Sequence, residues 1–371
     1  MNMWRIPCVI TPDGTINGYV IHQKLNQVRS PYVYKTSTSS YGIKGPKNKQ
    51  RICYQPISYN YAGQDVYGHT DHSIFVADGH GRNGLNAASD AIGMHKLLDM
   101  DASIFDKMSF KQIEAHLRAK FVEKMLESNN EESGSTFACM KIFHTKRARI
   151  CITVNIGDSE ALLIYKDKLH ICSVAHAWDN LELYNRYVQN VSSPKNVCYN
   201  RWNASRHRIL DPNGEYRPVF MYDIDKERNV ATINERNLEW ASNLHVQFSK
   251  PSIMNGTQSI RLRSEAYENW GSSVMINGSA KGQNMATYGD CNERSRTNVP
   301  IDMIHIYIHE IENDETVVGI VQTDGVSNCR TLQDCMLHAF SKKNAKEYLE
   351  NISKVKDDMS VSMIISEAIA E

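Results

Sequence analysis

Residues Ser73–Asn86 read SIFVADGHGRNGLN. The apolar run predicts a buried strand over Ser73–Ala77 that stops abruptly at Asp78–Gly79, with a helix to follow from Asn83 to about Met100. Across this junction fall glycines 79, 81 and 84, together with His80 and Arg82. A GxGxxG between strand and helix formally matches a dinucleotide fingerprint. Two features speak against it. Asp78 stands directly before the first glycine, where it would repel a pyrophosphate, and no second strand ends in an acid at the required distance. Asp99 falls inside the helical pattern instead. The plainer reading is that Asp78 caps a helix while glycines shape the turn.

Three more aspartates occupy the same kind of place, at the end of an apolar strand or in the turn beside one. They are Asp65 in AGQDVY, Asp324 in VQTDGVSN and Asp357 in KVKDDMSV. Strand-end carboxylates from distant parts of a chain can converge at one edge of a sheet. Gathered there, they would repel one another and raise each other's pKa unless cations sat between them. Oxygen-only ligation selects hard ions such as Mg²⁺ or Mn²⁺ over zinc or copper. Gly79 and Gly325, each following one of these aspartates, let the backbone approach an ion closely, so that a carbonyl oxygen can also serve as a ligand.

Composition narrows the class. The chain has 371 residues, 42 basic and 42 acidic, and no formal net charge. That balance argues against a polyanion-binding surface over the whole protein, so nucleic acid is not expected as a partner. No apolar run approaches the length of a membrane span, and the N-terminus carries no secretory pattern. Nine cysteines, none at CxxC spacing, suit free thiols in a reducing, intracellular compartment rather than a cysteine zinc site.

Along the chain, residues 1 to about 60 are polar, and KTSTSSYGIKGPKNKQR reads as a loop or extension. Phe110, Ile113, Leu117, Phe121 and Met125 recur at helical spacing behind a Ser109–Gln112 capping box. The segments ARICITVNIG, ALLIYK and LHICSV read as an antiparallel meander. Residues 200–285 are rich in Asn, Arg and Ser and read as an insertion. Strand signals return at MIHIYIH and TVVGIVQT, followed by helices near 331–351 and a closing strand MSVSMIIS. Helices and strands cluster separately, which predicts an α+β layered domain.

Six segments in order resemble the metal-dependent serine/threonine protein phosphatases of the PP2C (PPM) type. FVADGHG resembles the core motif of that family. GSTFACMKI, VNIGDSEALLIY, VAHAWDNLELYNRY, VQTDGVSN and DDMSV are similar to the segments that follow it. The resemblance covers about residues 60–368. It implies a four-layer α-β-β-α sandwich of two mainly antiparallel sheets flanked by helices, with two Mg²⁺ or Mn²⁺ ions at one end and phosphoproteins as substrates. Residues 1–59 would then be an N-terminal extension partly packed on the core. A phosphatase domain would fill 60–371, with the insertion at about 200–285.

By the same resemblance Asp65, Asp78, Gly79, Asp324 and Asp357 are metal ligands. Gln64 and Asp158 are additional ligands or supports, and His80 is the general acid. Asp65 is preferred to the segment around Asn48, which offers no acid. The chain departs from the family in several places. Asn60 stands where the family carries a phosphate-holding arginine, so the phosphate-binding residue is unassigned, with Arg51 and Arg82 both open. Ala175 and Asn328 each replace an aspartate, and Met285–Tyr288 lack the usual serine-arginine pair. These losses keep a second reading in play, a catalytically weak or inactive fold that works as a regulatory binding module.

Overall fold

A computed structural model of the chain describes residues 8–10, 16–18, 32–46, 57–81, 83–126, 133–173, 181, 185, 188–189, 196–200, 209–210, 216–217, 219–220, 222–236, 249–254, 288–289, 304–312, 314–327, 329–330, 332–350, 352, 355 and 357–370. The chain divides into two compact units. The smaller comprises 1–4, 176–286 and 291–300, and the larger 5–175, 287–290 and 301–371.

Two sheets make the frame of the larger unit. The first runs β2 (Ile16–Gly18), β1 (Cys8–Ile10), β11 (Leu169–Ile171), β10 (Glu160–Ile164), β21 (Val317–Gln322), β22 (Met359–Ala370) and β3 (Tyr32–Ile43). The second runs β19 (Tyr288–Gly289), β7 (Ser133–Ser135), β6 (Ser73–Gly81), β8 (Phe137–His144), β9 (Arg149–Ile156) and β20 (His305–Ile311). Strand β5 (Asp65–His69) also pairs with β6, and β4 (Asn60–Ala62) pairs with β5. The pairings within both sheets are antiparallel.

The period-2 alternation of strand side chains sorts the residues into layers. Ile74 and Val76 of β6 join Ala138, Met140 and Ile142 of β8 in one buried cluster with Ala161, Leu163, Val317, Val321 and Ile364 of the first sheet. This is the layer between the sheets. Leu162, Ile164, Val318, Ile320, Val361 and Met363 point the other way, against Cys335, Ala339, Tyr348 and Leu349 of helices Leu332–Ala339 and Ala345–Leu349. On the opposite side Phe137 meets Phe121 of helix Phe110–Leu126, and Phe143 meets Phe105. Helix, sheet, sheet, helix follow in that order, and the fold class is α+β.

The long helix begins as its capping box predicts. The Ser109 amide donates to Gln112 Oε1 at 2.9 Å, and Ile113, Leu117, Phe121 and Met125 are fully buried. Arg149 is buried too, at the end of the sandwich away from the aspartates. Its guanidinium donates to the carbonyls of Ser366 and Glu312 at 2.9 and 2.7 Å, which offsets the cost of desolvating a cation.

Three expectations are corrected. Tyr32–Ile43, read largely as a loop, is a twelve-residue strand paired along β22. Its Tyr, Val and Thr residues suit a strand, and its half-exposed position tolerates the serines among them. The expected meander is split between sheets: β9 lies in the second and β10 and β11 in the first, with Gly157–Ser159 carrying the chain across. Both strands are buried on both faces, so periodicity could not show the crossing. Strand β6 runs on to Gly81, so Asp78 and His80 belong to a strand and not to a turn. The helix after it is α-helical over Gly84–Ile92 and 3₁₀ over Gly93–Leu98.

In the smaller unit β12 (Asn196–Asn200) lies between β15 (Val219–Phe220) and β18 (Ser249–Met254), while β13 (Ile209–Leu210) pairs with β14 (Tyr216–Arg217). A hairpin of β16 (Tyr222–Asp225) and β17 (Val230–Ile233) turns through Asn229, whose φ is 51°. The Asn185 amide both donates to and accepts from the Ala231 backbone, at 3.1 and 2.6 Å.

His144 links the two sheets of the larger unit through Thr36 Oγ1 at 3.0 Å. Burial first, then His72 and Arg149, push its pKa down to about 4. The folded protein therefore keeps it neutral while the unfolded chain takes up a proton below about pH 6.5. Its contribution to stability is present above that value and is lost as pH falls toward 4. In urea titrations the gap between wild type and His144→Gln is expected to narrow over that window. A gap that stays constant with pH would contradict the assignment.

Candidate metal centre

Asp65 and Asp78 are direct cross-strand partners in the β5–β6 ladder, so their side chains leave the sheet on the same face. That face is the one carrying Val76 toward the other sheet. Val321 of β21 also faces the inter-sheet layer, and Thr323 two residues on shares its parity. The starts of β5, β10 and β22 and the ends of β6 and β21 thus meet at one end of the sandwich.

Main-chain contacts hold Asp78 in place. Its N–H donates to Thr136 Oγ1 at 3.0 Å, and its carbonyl accepts from Thr136 N at 2.9 Å and from Ser135 Oγ at 3.0 Å. Thr136 Oγ1 also lies 2.6 Å from Ser159 Oγ, next to Asp158. The Gly-Ser-Thr segment therefore anchors the backbone beneath the carboxylate. Gly79 has no space for a side chain, because a Cβ there would stand 2.1 Å from the Gly84 carbonyl oxygen.

The carboxylates act on one another. Burial raises the Asp65 carboxyl well above its ordinary range, and Asp358 and Asp324 raise it further, against the opposing hydrogen bond from Thr323. Asp78 is raised first by desolvation, then by Asp65, Asp324 and Asp158, and it stands within hydrogen-bonding reach of Asp324. Asp65 Oδ2 accepts from Thr323 Oγ1 at 2.8 Å, whereas its buried Oδ1 has no hydrogen-bond partner among the described residues. A buried carboxylate oxygen without a partner is costly, and a cation removes that cost. No three His, Cys, Asp or Glu side chains among the described residues are drawn tightly enough together to form a finished ligand shell. In kind, the oxygen donors fit hard divalent ions.

Of the predicted site residues, Asp65 and Asp78 are cross-strand partners, Asp324 lies near enough to act on both, and Asp158 near enough to act on Asp78. Gly79 lies between Asp78 and His80, with its N–H donating to the Gln64 carbonyl at 3.3 Å. Alternation places His80 on the same face as Asp78, partly exposed and opposite Gly134. Gln64 turns its amide to the Gly81 carbonyl at 3.1 Å and so serves as a backbone clamp. Asp357 is exposed, and its Oδ1 accepts from the Asp358 N–H at 3.0 Å. The inward carboxylate of that pair is Asp358, which is buried and accepts from Gly45 N at 2.8 Å and Gln64 N at 3.0 Å. Counting back from buried Ser360 along β22 would have favoured Asp358 as the inward residue. Asn60 is exposed in β4. Asn48, Arg51, Arg82, Ala175, Met285 and Asn328 lie outside the described residues.

No family model and no curated protein matches the chain. The solved structures it matches include PP2C (PPM)-type serine/threonine phosphatases. One is the catalytic domain of the serine threonine protein phosphatase PstP in complex with two manganese ions, at 10% identity and a TM-score of 0.44 over 91% of this chain and 100% of that one. Another is the serine/threonine phosphatase Stp1 from Staphylococcus aureus, at 12% identity, TM-score 0.43, and coverage of 95% and 99%. A third is the PPM Ser-Thr phosphatase MsPP from Mycobacterium smegmatis in complex with cacodylate, at 12%, 0.40, and coverage of 89% and 97%.

Proposed function

We propose that this chain hydrolyses phosphoserine and phosphothreonine in proteins, using two Mg²⁺ or Mn²⁺ ions held by the aspartates at one end of the sandwich. The observation that carries the reading is the cross-strand pair Asp65–Asp78, with Asp324 and Asp158 beside it and a buried Asp65 oxygen that lacks a partner. Asp78 faces the others from β6 and would be the central carboxylate holding the ions. Asp65, Asp324 and the 357–358 pair supply the remaining carboxylates, and the Gly79 carbonyl is a further donor. When bound, the ions supply an activated water and neutralise the phosphoryl oxygens. The chain's own part is to fix the carboxylates, to position the phosphoryl group and to deliver a proton to the departing serine or threonine oxygen. His80 is the group assigned to that proton.

A second reading, a phosphatase-like fold that only binds, draws on Asn60 and on the exposed Asp357. One assay separates the two: hydrolysis of p-nitrophenyl phosphate and of a phosphothreonine peptide, with and without Mn²⁺. Mn²⁺-dependent release of phosphate from both is the expected result. Intact Mn²⁺ binding without turnover would favour the binding module.

A further inference from the structure

We propose that Thr323 is a positioning residue for the Asp65 carboxylate, reaching from one sheet to the other so that the oxygen left without a partner is presented to a divalent ion. This inference rests on the metal-dependent reading above. Asp65 belongs to the second sheet, whereas Thr323 follows β21 of the first, so their 2.8 Å hydrogen bond crosses the sandwich at the carboxylate end.

The direction of that bond is fixed by its surroundings. Thr323 Oγ1 accepts from the Ser360 N–H at 3.0 Å, which leaves the hydroxyl one proton to place. Two acceptors compete for it, Asp65 Oδ2 at 2.8 Å and the Ser360 carbonyl at 3.5 Å. The shorter bond, to an acidic group, is the stronger. Oδ2 is thereby committed, and the carboxylate plane is set with Oδ1 buried and unpartnered.

A role limited to capping does not account for the side chain. The helical turn Asp324–Ser327 starts from the Thr323 carbonyl, which accepts from Val326 N at 3.1 Å. The hydroxyl is left for Asp65. Support beneath it is rigid as well: Thr323 is fully buried, and its N–H donates to the Ser360 carbonyl at 3.0 Å. The preceding Gln322 is pinned by donating to buried Glu160 at 3.0 Å. An outer partner that orients a ligand and is itself locked in this way sets affinity as much as geometry.

The test uses the full chain and Mn²⁺ alone, followed by calorimetric titration, with thermal unfolding as the control of fold. Thr323→Val keeps the shape and removes the hydroxyl, and is expected to weaken Mn²⁺ binding by about 10- to 100-fold. Thr323→Ser restores the hydroxyl and is expected to bind near the wild-type value. Wild-type affinity in folded Thr323→Val would overturn the inference, as would equal weakening in the Val and Ser variants. If Thr323→Val does not fold, Thr323→Ala against Thr323→Ser makes the same comparison, and equal affinities there would also overturn it. A wild-type chain that takes up no Mn²⁺ would overturn the metal-dependent reading and this inference together. Loss of the hydroxyl effect alone would leave that reading standing.

Discussion

Asp78→Asn is expected to reduce Mn²⁺-dependent turnover by at least about 10²-fold, the order of loss produced by removing one preorganised electrostatic group from an active site. The fold should not suffer with it. Asp78 is held by its backbone, through Thr136 and Ser135, and none of those bonds involves the carboxylate. Asparagine has nearly the same shape, so it can occupy the same place. Its neutral amide also removes a charge that desolvation and Asp65, Asp324 and Asp158 already disfavour. In the ion-free protein, unfolding temperature at neutral pH should therefore be unchanged or higher. The rise in that temperature on adding Mn²⁺ should shrink sharply, because a ligand stabilises only the state that binds it. Calorimetric scans of both proteins with and without Mn²⁺ check this. An Asp78→Asn variant that keeps the full Mn²⁺-induced shift would remove the basis for placing an ion at this carboxylate.

The chain order of strands and helices was readable because most core elements carry one strong signal each. Helix Phe110–Leu126 has a single apolar stripe and a capping box, and both appear where the spacing puts them. Strand β22 follows a plain apolar run. The sheet assignment of β9 and β10 was not readable, since strands buried on both faces carry no alternation to say which sheet they join. Strand β3 was hidden for the opposite reason: its serines and threonines look like loop composition, and only long-range pairing with β22 makes them a strand.

The site divides in the same way. Asp78 and Asp324 stand out locally, as acids closing apolar runs, whereas Asp65 follows a turn at the start of its strand and is chosen only over a segment that offers no acid. Thr323 and Thr136 do not stand out, because their importance lies in partners 258 and 58 residues away. Asp357 and Asp358 are adjacent and chemically equal, so motif matching favoured one while strand parity turns the other inward.

His80→Ala is expected to damage turnover of a phosphothreonine peptide by about 10²-fold or more, and turnover of p-nitrophenyl phosphate far less. In the proposed hydrolysis the attacking water would lose one proton to solvent and bond to phosphorus through its oxygen as the bond to the leaving oxygen breaks. The electron pair of the broken bond stays on that oxygen. A nitrophenolate carries the resulting charge readily, whereas a threonine alkoxide needs a proton as it leaves. Position favours His80 as the donor: it follows Asp78 by two residues in β6, shares its face and is partly exposed, so a substrate can reach it. Gly79, on one side, lets the backbone pass close to the Gly84 carbonyl, and Gly81 on the other, at φ 85°, holds a conformation that suits glycine. The imidazole is not proposed as an ion ligand, so calorimetric Mn²⁺ affinity should stay at the wild-type value in the variant. A selective loss would mark a proton donor and separate an enzyme from a binding scaffold, which has no leaving-group dependence to lose. Equal losses on both substrates with Mn²⁺ binding intact would instead make His80 a group that orients the phosphoryl oxygens.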